Sequence, residues 1–420
     1  MLKTEVGEFP GVNVRLPQGH LQRAGVTREI TPESEERKRL DVSDLSQLSP
    51  DGRVVFLEYV IGEEHSYLFV ITLQPRSQIS DPERQVAVTV HPLNLKRGAK
   101  LTNLVVNLRK RMEAEWPLPL AESQELYQHL VAPAEKALRG RTVICIVPDG
   151  DLWDVPFAAL QKPDGRYLIE THAVFYAPSL TSLKGVVERA QKRQPPPPNQ
   201  LLAMAPFAYS QGQRRNRVHK LSLCDAFPPL PASAGEVNEV AALFGAKPYL
   251  RRTATEFLAK RAADSARILH FATHGVYFPP NPMSSGILLA SGPDEQEDCF
   301  LEAREILYLD LNADLVVLSA CETAQGKIRS GEGALGLSWA LFVAGSTSNV
   351  LSQWKVADES TARLMVEFYR RLLSGARNWP STMGKAEALR QAQLKLLRAA
   401  DKKWEHPYFW APFILMGEWR

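Results

Sequence analysis

Short apolar segments alternate with helical segments through the second half of the chain. The apolar segments lack the polar alternation of a half-exposed strand, and they cover residues 201–205, 266–272, 315–319 and 348–352. Helical periodicity is present between them, at residues 233–244, 255–265, 333–344, 360–373 and 384–399. Unalternating strands separated by helices indicate a sheet of mainly parallel strands covered by helices on both faces. The pattern therefore predicts an α/β fold.

The first half of the chain has its own strand and helix signals. Strands are predicted at 54–60 and 67–73, as a hairpin across a turn at 62–64, and more weakly at 85–90. Helices are predicted at 101–116 and 121–138, and two further strands at 142–147 and 172–176. Four consecutive prolines at 195–198 then form a stiff, exposed spacer. We therefore divide the chain into a polar tail or linker (1–50), an N-terminal lobe (51–190), a proline-rich linker (191–200) and a second lobe (201–420).

Composition excludes several classes of protein. The chain has 420 residues, 45% apolar and 23% charged, and a net charge of +3, so it has no overall field that favours nucleic acid. It has no secretory leader and no apolar stretch of membrane-spanning length, which predicts a cytoplasmic protein that does not contact the membrane. Its four cysteines are far apart and show no metal-ligand spacing. We therefore expect reduced thiols, no metal and no cofactor.

Two predicted strands lead directly into reactive side chains. The strand at 266–272 is followed by His274 and Gly275, and the strand at 315–319 is followed by Cys321. Because parallel neighbours end at the same edge of a sheet, His274 and Cys321 are expected to lie close together. An imidazole there could take the proton of the thiol and later return one to a leaving amine. The backbone N–H groups of Gly275 and Cys321 could form an oxyanion hole.

Each of these residues also has a purely structural interpretation. A cysteine at the end of a strand is often a small buried apolar residue, and a lone histidine is often a satisfied core group. His270 is the competing base, because it lies four residues before His274 and so on the same face of the strand. Its position in the middle of the strand favours burial, so His274 is the better candidate.

Seven segments resemble the CHAT domain, a relative of caspases and separase. In chain order they are LEYVIGEEHSYLFVIT (57–72), IVPDGDLWDVPFAAL (146–160), YAPSLTSL (176–183), HFATHG (270–275), LSACETAQG (318–326), the long segment from GEGALG to LLSG (331–375) and HPYFWAPFILMGEW (406–419). The resemblance covers residues 54–420. It implies a caspase-like fold with an N-terminal pseudo-caspase lobe, and hydrolysis of peptide bonds in a protein or peptide substrate. His274 matches the catalytic histidine and Cys321 the nucleophile.

The resemblance also implies a substrate pocket and a partner. Asp358 matches an acid that receives a basic P1 side chain in separase-like relatives, with Ser352 and Trp354 as walls of the S1 pocket; alternatively, Asp358 caps the following helix. Lys355 and Ala357 replace a proline and an aspartate of many members, which affects the expected pocket shape. Family members often accompany TPR repeats, so an activating TPR or other module acting in trans is expected.

Three further alternatives stay open. A catalytically silent CHAT scaffold would work through protein–protein contacts alone, and an acyltransferase or ligase would use the same thiol. The basic run at 214–217 is a processing site, an activator contact or a solvated loop.

Overall fold

The computed structural model describes residues 42–75, 86–114, 120–193, 199–209, 227–278, 281–292, 297–321, 332–374 and 383–420. The strands are β1 (Val54–Ile61), β2 (Ser66–Leu73), β3 (Val86–Leu93), β4 (Val143–Val147), β5 (Ala173–Tyr176), β6 (Asn199–Ala205), β7 (Pro248–Leu250), β8 (Ala266–Val276), β9 (Gly286–Leu288), β10 (Phe300–Glu302), β11 (Leu315–Cys321), β12 (Ser348–Ser352) and β13 (Phe413–Gly417). The helices are α1 (Val42–Leu48), α2 (Ala99–Glu113), α3 (Leu120–Leu130), α4 (Glu135–Leu138), α5 (Leu180–Lys192), α6 (Pro231–Leu243), α7 (Glu256–Ala262), α8 (Ala303–Ile306), α9 (Glu332–Ala344), α10 (Asp358–Leu372), α11 (Lys385–Leu397) and α12 (Pro407–Trp410).

The strands form one sheet in the order β10-β9-β8-β11-β12-β13-β5-β4-β1-β2-β3, with β6 also beside β8 and β7 beside β6. Most of the inner pairs are parallel, including β8 with β11 and β11 with β12, whereas β12 and β13 are antiparallel. Antiparallel pairs occur mainly toward the two ends, in the β1-β2-β3 meander and the β8-β9-β10 extension. Helices flank the sheet, so the predicted α/β class with a mainly parallel sheet is confirmed.

The last strand joins the two halves of the chain. β13 lies between β12 and β5, antiparallel to the former and parallel to the latter. The sequence interpretation assigned no strand to this apolar segment. Because β13 pairs on both sides, the sheet is continuous across the predicted division into two lobes, and that division stays a prediction.

Two predicted boundaries differ from the structure. The helix expected at 121–138 is interrupted after α3 by a 3-10 turn at Ala132–Ala134, with Pro133 in its first turn. Proline has no N–H group for an α-helical hydrogen bond, and it clashes with the preceding turn, so a single helix is wrong here. β8 also extends beyond the predicted strand, through His274 to Val276, because it pairs there with β9.

The two cysteines whose side chains the structure describes differ in their state. Cys145 in β4 is a free thiol, and burial raises its pKa well above the ordinary value. Cys299 is disulfide-bonded, so the expectation of reduced thiols is wrong for this residue. Distance along the sequence gives no information on which thiols meet in the fold. Cys224 and the basic run at 214–217 lie outside the described residues.

Among the described segments, no helix has the length and apolar character needed to cross a bilayer.

Candidate functional site

The His274 imidazole is enclosed by protein. It is 1% exposed, and its Nε2 lies 2.8 Å from the carbonyl oxygen of Pro228. The Phe207 ring packs edge-on with its centroid 4.7 Å from that of the imidazole, and the Phe227 ring lies at 5.3 Å. Two aromatic rings and one hydrogen bond therefore restrict the rotation of His274.

The contact with Pro228 determines the tautomer of the neutral ring. A carbonyl oxygen can only accept a hydrogen bond, so Nε2 must carry the proton and donate it to Pro228. Nδ1 is then the unprotonated nitrogen of neutral His274. A general base requires such a nitrogen, and here it belongs to a ring whose orientation is restricted.

Cys321 is the last residue of β11 and the register partner of His274 on β8. Two residues earlier, Ser319 pairs with Ala272, and two before that, Val317 pairs with His270. Neighbouring strands are about 4.8 Å apart, so the two backbone positions expected to carry the chemistry are direct neighbours across the ladder. The side chain of Cys321 and residues 322–331 lie outside the described residues.

The sheet order also separates Cys321 from the disulfide-bonded Cys299. The carbonyl of Cys299 accepts a hydrogen bond from Leu289, which places it in line with β10. β10 is three strand positions from β11, a separation of about 14 Å.

Gly275 and Ser352 line the same cavity. Gly275 follows His274 and pairs with Ile287 of β9, while Ser352 ends β12 and donates its hydroxyl to the carbonyl of Ala320. The cavity is very small, with a volume of only about 10 Å³, and its other lining residues are apolar: Ile287, Leu318, Ala320, Leu337 and Leu351. Neither Trp354 nor Asp358 is among the lining residues. The oxyanion-hole role of Gly275 and Cys321 stays a prediction.

Trp354 lies in the interior. Its ring is fully buried, with the Arg109 guanidinium 4.8 Å from the ring centroid, and its Nε1 donates to the carbonyl of Tyr408. Arg109 comes from α2 of the N-terminal half and also donates to the carbonyl of Gln353 at 2.7 Å. Trp354 therefore contributes to packing between the two halves of the chain.

Asp358 is the first residue of α10, and its carboxylate accepts the backbone N–H of Ala232 at 2.7 Å. Burial raises the pKa of Asp358, the N–H of Ala232 opposes that rise, and the charge of Glu236 adds to it. The carboxylate thus connects the start of α10 to the first turn of α6. The S1 roles of Asp358, Ser352 and Trp354 stay predictions.

Sequence reasoning did not identify Pro228, Phe207 or Phe227 as neighbours of His274. A backbone carbonyl acts regardless of its side chain, so Pro228 carries no signal in the sequence. The two phenylalanines are apolar residues like any others in the core. Within the described ranges, no cluster of three or more His, Cys, Asp or Glu side chains is arranged to hold a metal ion.

Curated relatives of this chain include two long mammalian proteins. Human tetratricopeptide repeat protein 28 is 27% identical over 334 residues, which is 70% of this chain and 13% of the human protein. The mouse protein of the same name is 26% identical over 332 residues, again 13% of its length. The chain therefore spans only a small part of these relatives.

Solved structures with a similar fold include Saccharomyces cerevisiae separase in its complex with securin, at 9% identity and a TM-score of 0.50, covering 90% of this chain and 30% of separase. The Arg-specific cysteine proteinase gingipain R gives a TM-score of 0.44 at 12% identity, covering 76% of this chain and 74% of gingipain. At 9% identity, the likeness to separase concerns the fold alone and agrees with a caspase-like architecture.

The CHAT domain family model matches residues 120–418. The match includes the strands that carry His274 and Cys321, and it continues through β13. Since it spans well over half of the residues, the chain belongs to the CHAT domain family.

Proposed function

We propose that the protein is a cysteine-type endopeptidase in which Cys321 is the nucleophile and His274 the general base. The register pairing of these two residues at the end of β8 and β11 is the observation that carries the proposal. The Nε2–H tautomer of neutral His274 supports it, because Nδ1 is then the unprotonated nitrogen that a general base needs.

The reaction has two halves. His274 Nδ1 takes the thiol proton, the sulfur of Cys321 attacks the scissile carbonyl, and the resulting oxyanion accepts hydrogen bonds from the N–H groups of Gly275 and Cys321. The C–N bond then breaks, the proton passes from His274 to the leaving amine, and a thioester remains. Water, deprotonated by His274, attacks the thioester and releases the acid, and the proton returns to the thiol.

A catalytically silent scaffold is the second candidate. The 1% exposure of His274 favours it, since a substrate cannot reach an enclosed imidazole without a rearrangement. The mammalian relatives are named as repeat proteins and not as peptidases. We reconcile these observations with peptidase activity by proposing an activating protein partner, a TPR or similar module in trans, that opens the site.

We further propose a P1 preference that depends on Asp358. As an S1 acid it would pair with a basic P1 side chain of the substrate. Its contact with Ala232 gives it a second role, as the residue that joins α10 to α6. The two roles predict different results for Asp358→Asn and Asp358→Ala.

A peptidyl chloromethylketone tests the proposal. It should alkylate Cys321 covalently, as measured by peptide mass spectrometry, and the adduct should disappear in Cys321→Ala. Cys145→Ser is the matched control, because that thiol is buried with a raised pKa and should contribute no adduct. Absence of any adduct at Cys321, with and without candidate activators, would favour the scaffold.

A further inference from the structure

A second histidine lies on the same strand as the proposed base and is held by charged and polar partners. His270 on β8 is fully buried, four residues before His274. Its Nδ1 lies 3.2 Å from the hydroxyl of Tyr369, and its Nε2 lies 3.0 Å from a carboxylate oxygen of Glu236. The Nε2–H bond does not point directly at that oxygen, so the contact is mainly electrostatic. Glu236 is only 2% exposed.

The partners of His270 determine the tautomer of its neutral ring. Burial and the charge of Glu236 raise the pKa of Tyr369 well above its usual value, so Tyr369 keeps its proton. A carboxylate oxygen can only accept a hydrogen, so the proton of a neutral His270 belongs on Nε2, which faces Glu236, and Nδ1 then accepts from Tyr369. His270 thus links β8 to Tyr369 on α10 and to Glu236 on α6.

Both histidines contact the same continuous segment. Pro228, which accepts from His274, lies just before α6, and Glu236 lies within α6. The two histidines are about 13 Å apart along the strand. Residues 231–236 rise about 7.5 Å as helix, and the residues from Pro228 to the helix supply the rest. α6 therefore runs back along β8 with one contact at each histidine.

The first turn of α6 has a third attachment. The N–H of Ala232 donates to Asp358, between the two histidine contacts in sequence. A shift of α6 by one residue would move it about 1.5 Å along its axis. The 2.8 Å contact between Pro228 and His274 would then exceed hydrogen-bonding distance. The register of α6 on β8 therefore decides whether His274 is oriented.

We propose that Glu236 and His270 are positioning residues that hold α6 in the register at which the Pro228 carbonyl orients His274. The inference rests on the proposed role of His274 as base. It assigns a function to a buried polar group that the proposed reaction does not use. Burying a charged or polar pair is less favourable for folding than packing apolar groups of the same size. Such pairs are kept in some proteins because they fix one register between two elements.

The tautomer of His274 tests the inference without relying on peptidase activity. In the full chain labelled with ¹⁵N-histidine, at alkaline pH where the imidazoles are neutral, wild-type His274 should show a single Nε2–H tautomer, assigned by its loss in His274→Gln. Glu236→Ala should convert this signal to a mixture of tautomers. Glu236→Gln, which keeps a polar side chain of the same length, should restore most of the wild-type state.

Two further variants separate positioning from general stability. Glu239 lies on the same helix and forms an exposed ion pair with Arg370. Glu239→Ala should therefore leave the tautomer of His274 unchanged. Glu236→Leu combined with His270→Phe replaces both partners by apolar groups and should fold even if Glu236→Ala does not. A folded double variant with a mixed His274 tautomer supports the proposal, and one with the single wild-type tautomer overturns it.

Peptidase activity provides a separate measurement. If the enzyme is active, Glu236→Ala should lower kcat about tenfold or more with little change in KM, because only the orientation of the base is disturbed. A wild-type protein without hydrolytic activity, both alone and with candidate activators, would contradict the proposed function and would leave the tautomer measurement valid. The failure of either proposal can therefore be recognised separately.

Discussion

His274 and Cys321 are register partners across the parallel pair β8–β11, and the Nε2 of His274 is fixed by the carbonyl of Pro228. The strands supply the spacing, since paired positions on neighbouring strands are about 4.8 Å apart. The loop before α6 supplies the orientation. The candidate dyad therefore depends on the pairing of β8 with β11 and on the segment before α6, which packs against the sheet.

His274→Gln should slow the alkylation of Cys321 by iodoacetamide. A base beside a thiol raises the fraction of reactive thiolate. A thiol with the ordinary pKa of about 8.5 is only about 3% ionised at pH 7, so removal of the base should lower the rate constant about tenfold, and at most about 30-fold. Peptide mass spectrometry of the quenched reaction gives this rate. His270→Gln should retain a far larger share of the rate, and equal effects of the two substitutions would argue against His274 as the base.

The position of the candidate dyad could be predicted from the sequence because short apolar segments show where each strand ends. The apolar segments before His274 and Cys321 were sufficient to place both residues at one edge of a parallel sheet. His270 was expected to be buried because it sits between apolar neighbours in the middle of the strand, and it is. These inferences need only the period of the strand and the direction of its neighbours.

The partners of the dyad could not be predicted in this way. Pro228 acts through its backbone, and Glu236 meets His270 only because α6 packs on β8. β13 carries an apolar sequence that fits several structures, and only pairing between distant segments makes it a central strand. Contacts of this kind depend on the tertiary arrangement, which a local pattern does not contain.

Substitutions of Asp358 distinguish its two proposed roles. If it joins α10 to α6, Asp358→Asn should keep most activity, because an amide oxygen also accepts the N–H of Ala232, whereas Asp358→Ala should lose it. If it is the S1 acid, both substitutions should abolish a preference for Arg at P1. Cleavage of matched Arg and Leu peptide substrates by the two variants gives the comparison.

Asp358→Asn should also reduce the pH dependence of stability. Because the pKa of Asp358 is raised in the folded protein, its contribution to stability is fully present below the unfolded pKa and is lost as pH rises through the folded value. Urea unfolding of the wild type should therefore show this loss at mildly acidic pH. A variant with the same pH dependence as the wild type would contradict the shift.

The raised pKa of Glu256 predicts a second pH dependence of stability, at higher pH. Burial raises the pKa of Glu256 to about 7, with Lys260 opposing the rise and a hydrogen bond with Glu297 and the charge of Glu305 adding to it. The unfolded chain ionises this carboxyl from about pH 4.5. The free energy of unfolding should therefore fall by about 1–2 kcal/mol between pH 5 and pH 8 on account of this residue.

Glu256→Gln should remove most of that fall. The amide carries no charge at either pH, so unfolding by urea at pH 5 and at pH 8 should give more similar free energies than in the wild type. Glu239→Gln, at an exposed position, serves as the control and should keep the wild-type difference. A variant in which the difference is unchanged would show that another group causes it.

A buried ion pair lies next to β13. Lys385 begins α11, and its ammonium lies 2.6 Å from the carboxylate of Glu418, with both side chains about 5% exposed. Burial alone raises the pKa of Glu418, but the charges of Lys385 and Arg420 outweigh burial and lower it. The pair holds the end of the chain that follows β13.

Lys385→Met should cost about 3–5 kcal/mol of unfolding free energy at pH 7, because it leaves the Glu418 carboxylate buried with only Arg420 to compensate it. Adding Glu418→Leu should recover a large part of the loss, since two apolar groups need no compensation. In the wild type, the stabilisation should be present above the unfolded pKa of the carboxyl and lost as pH falls through its lower folded value. Urea unfolding of the three proteins at pH 7 and pH 4 measures all three effects, and a single variant as stable as the wild type would contradict the assigned role.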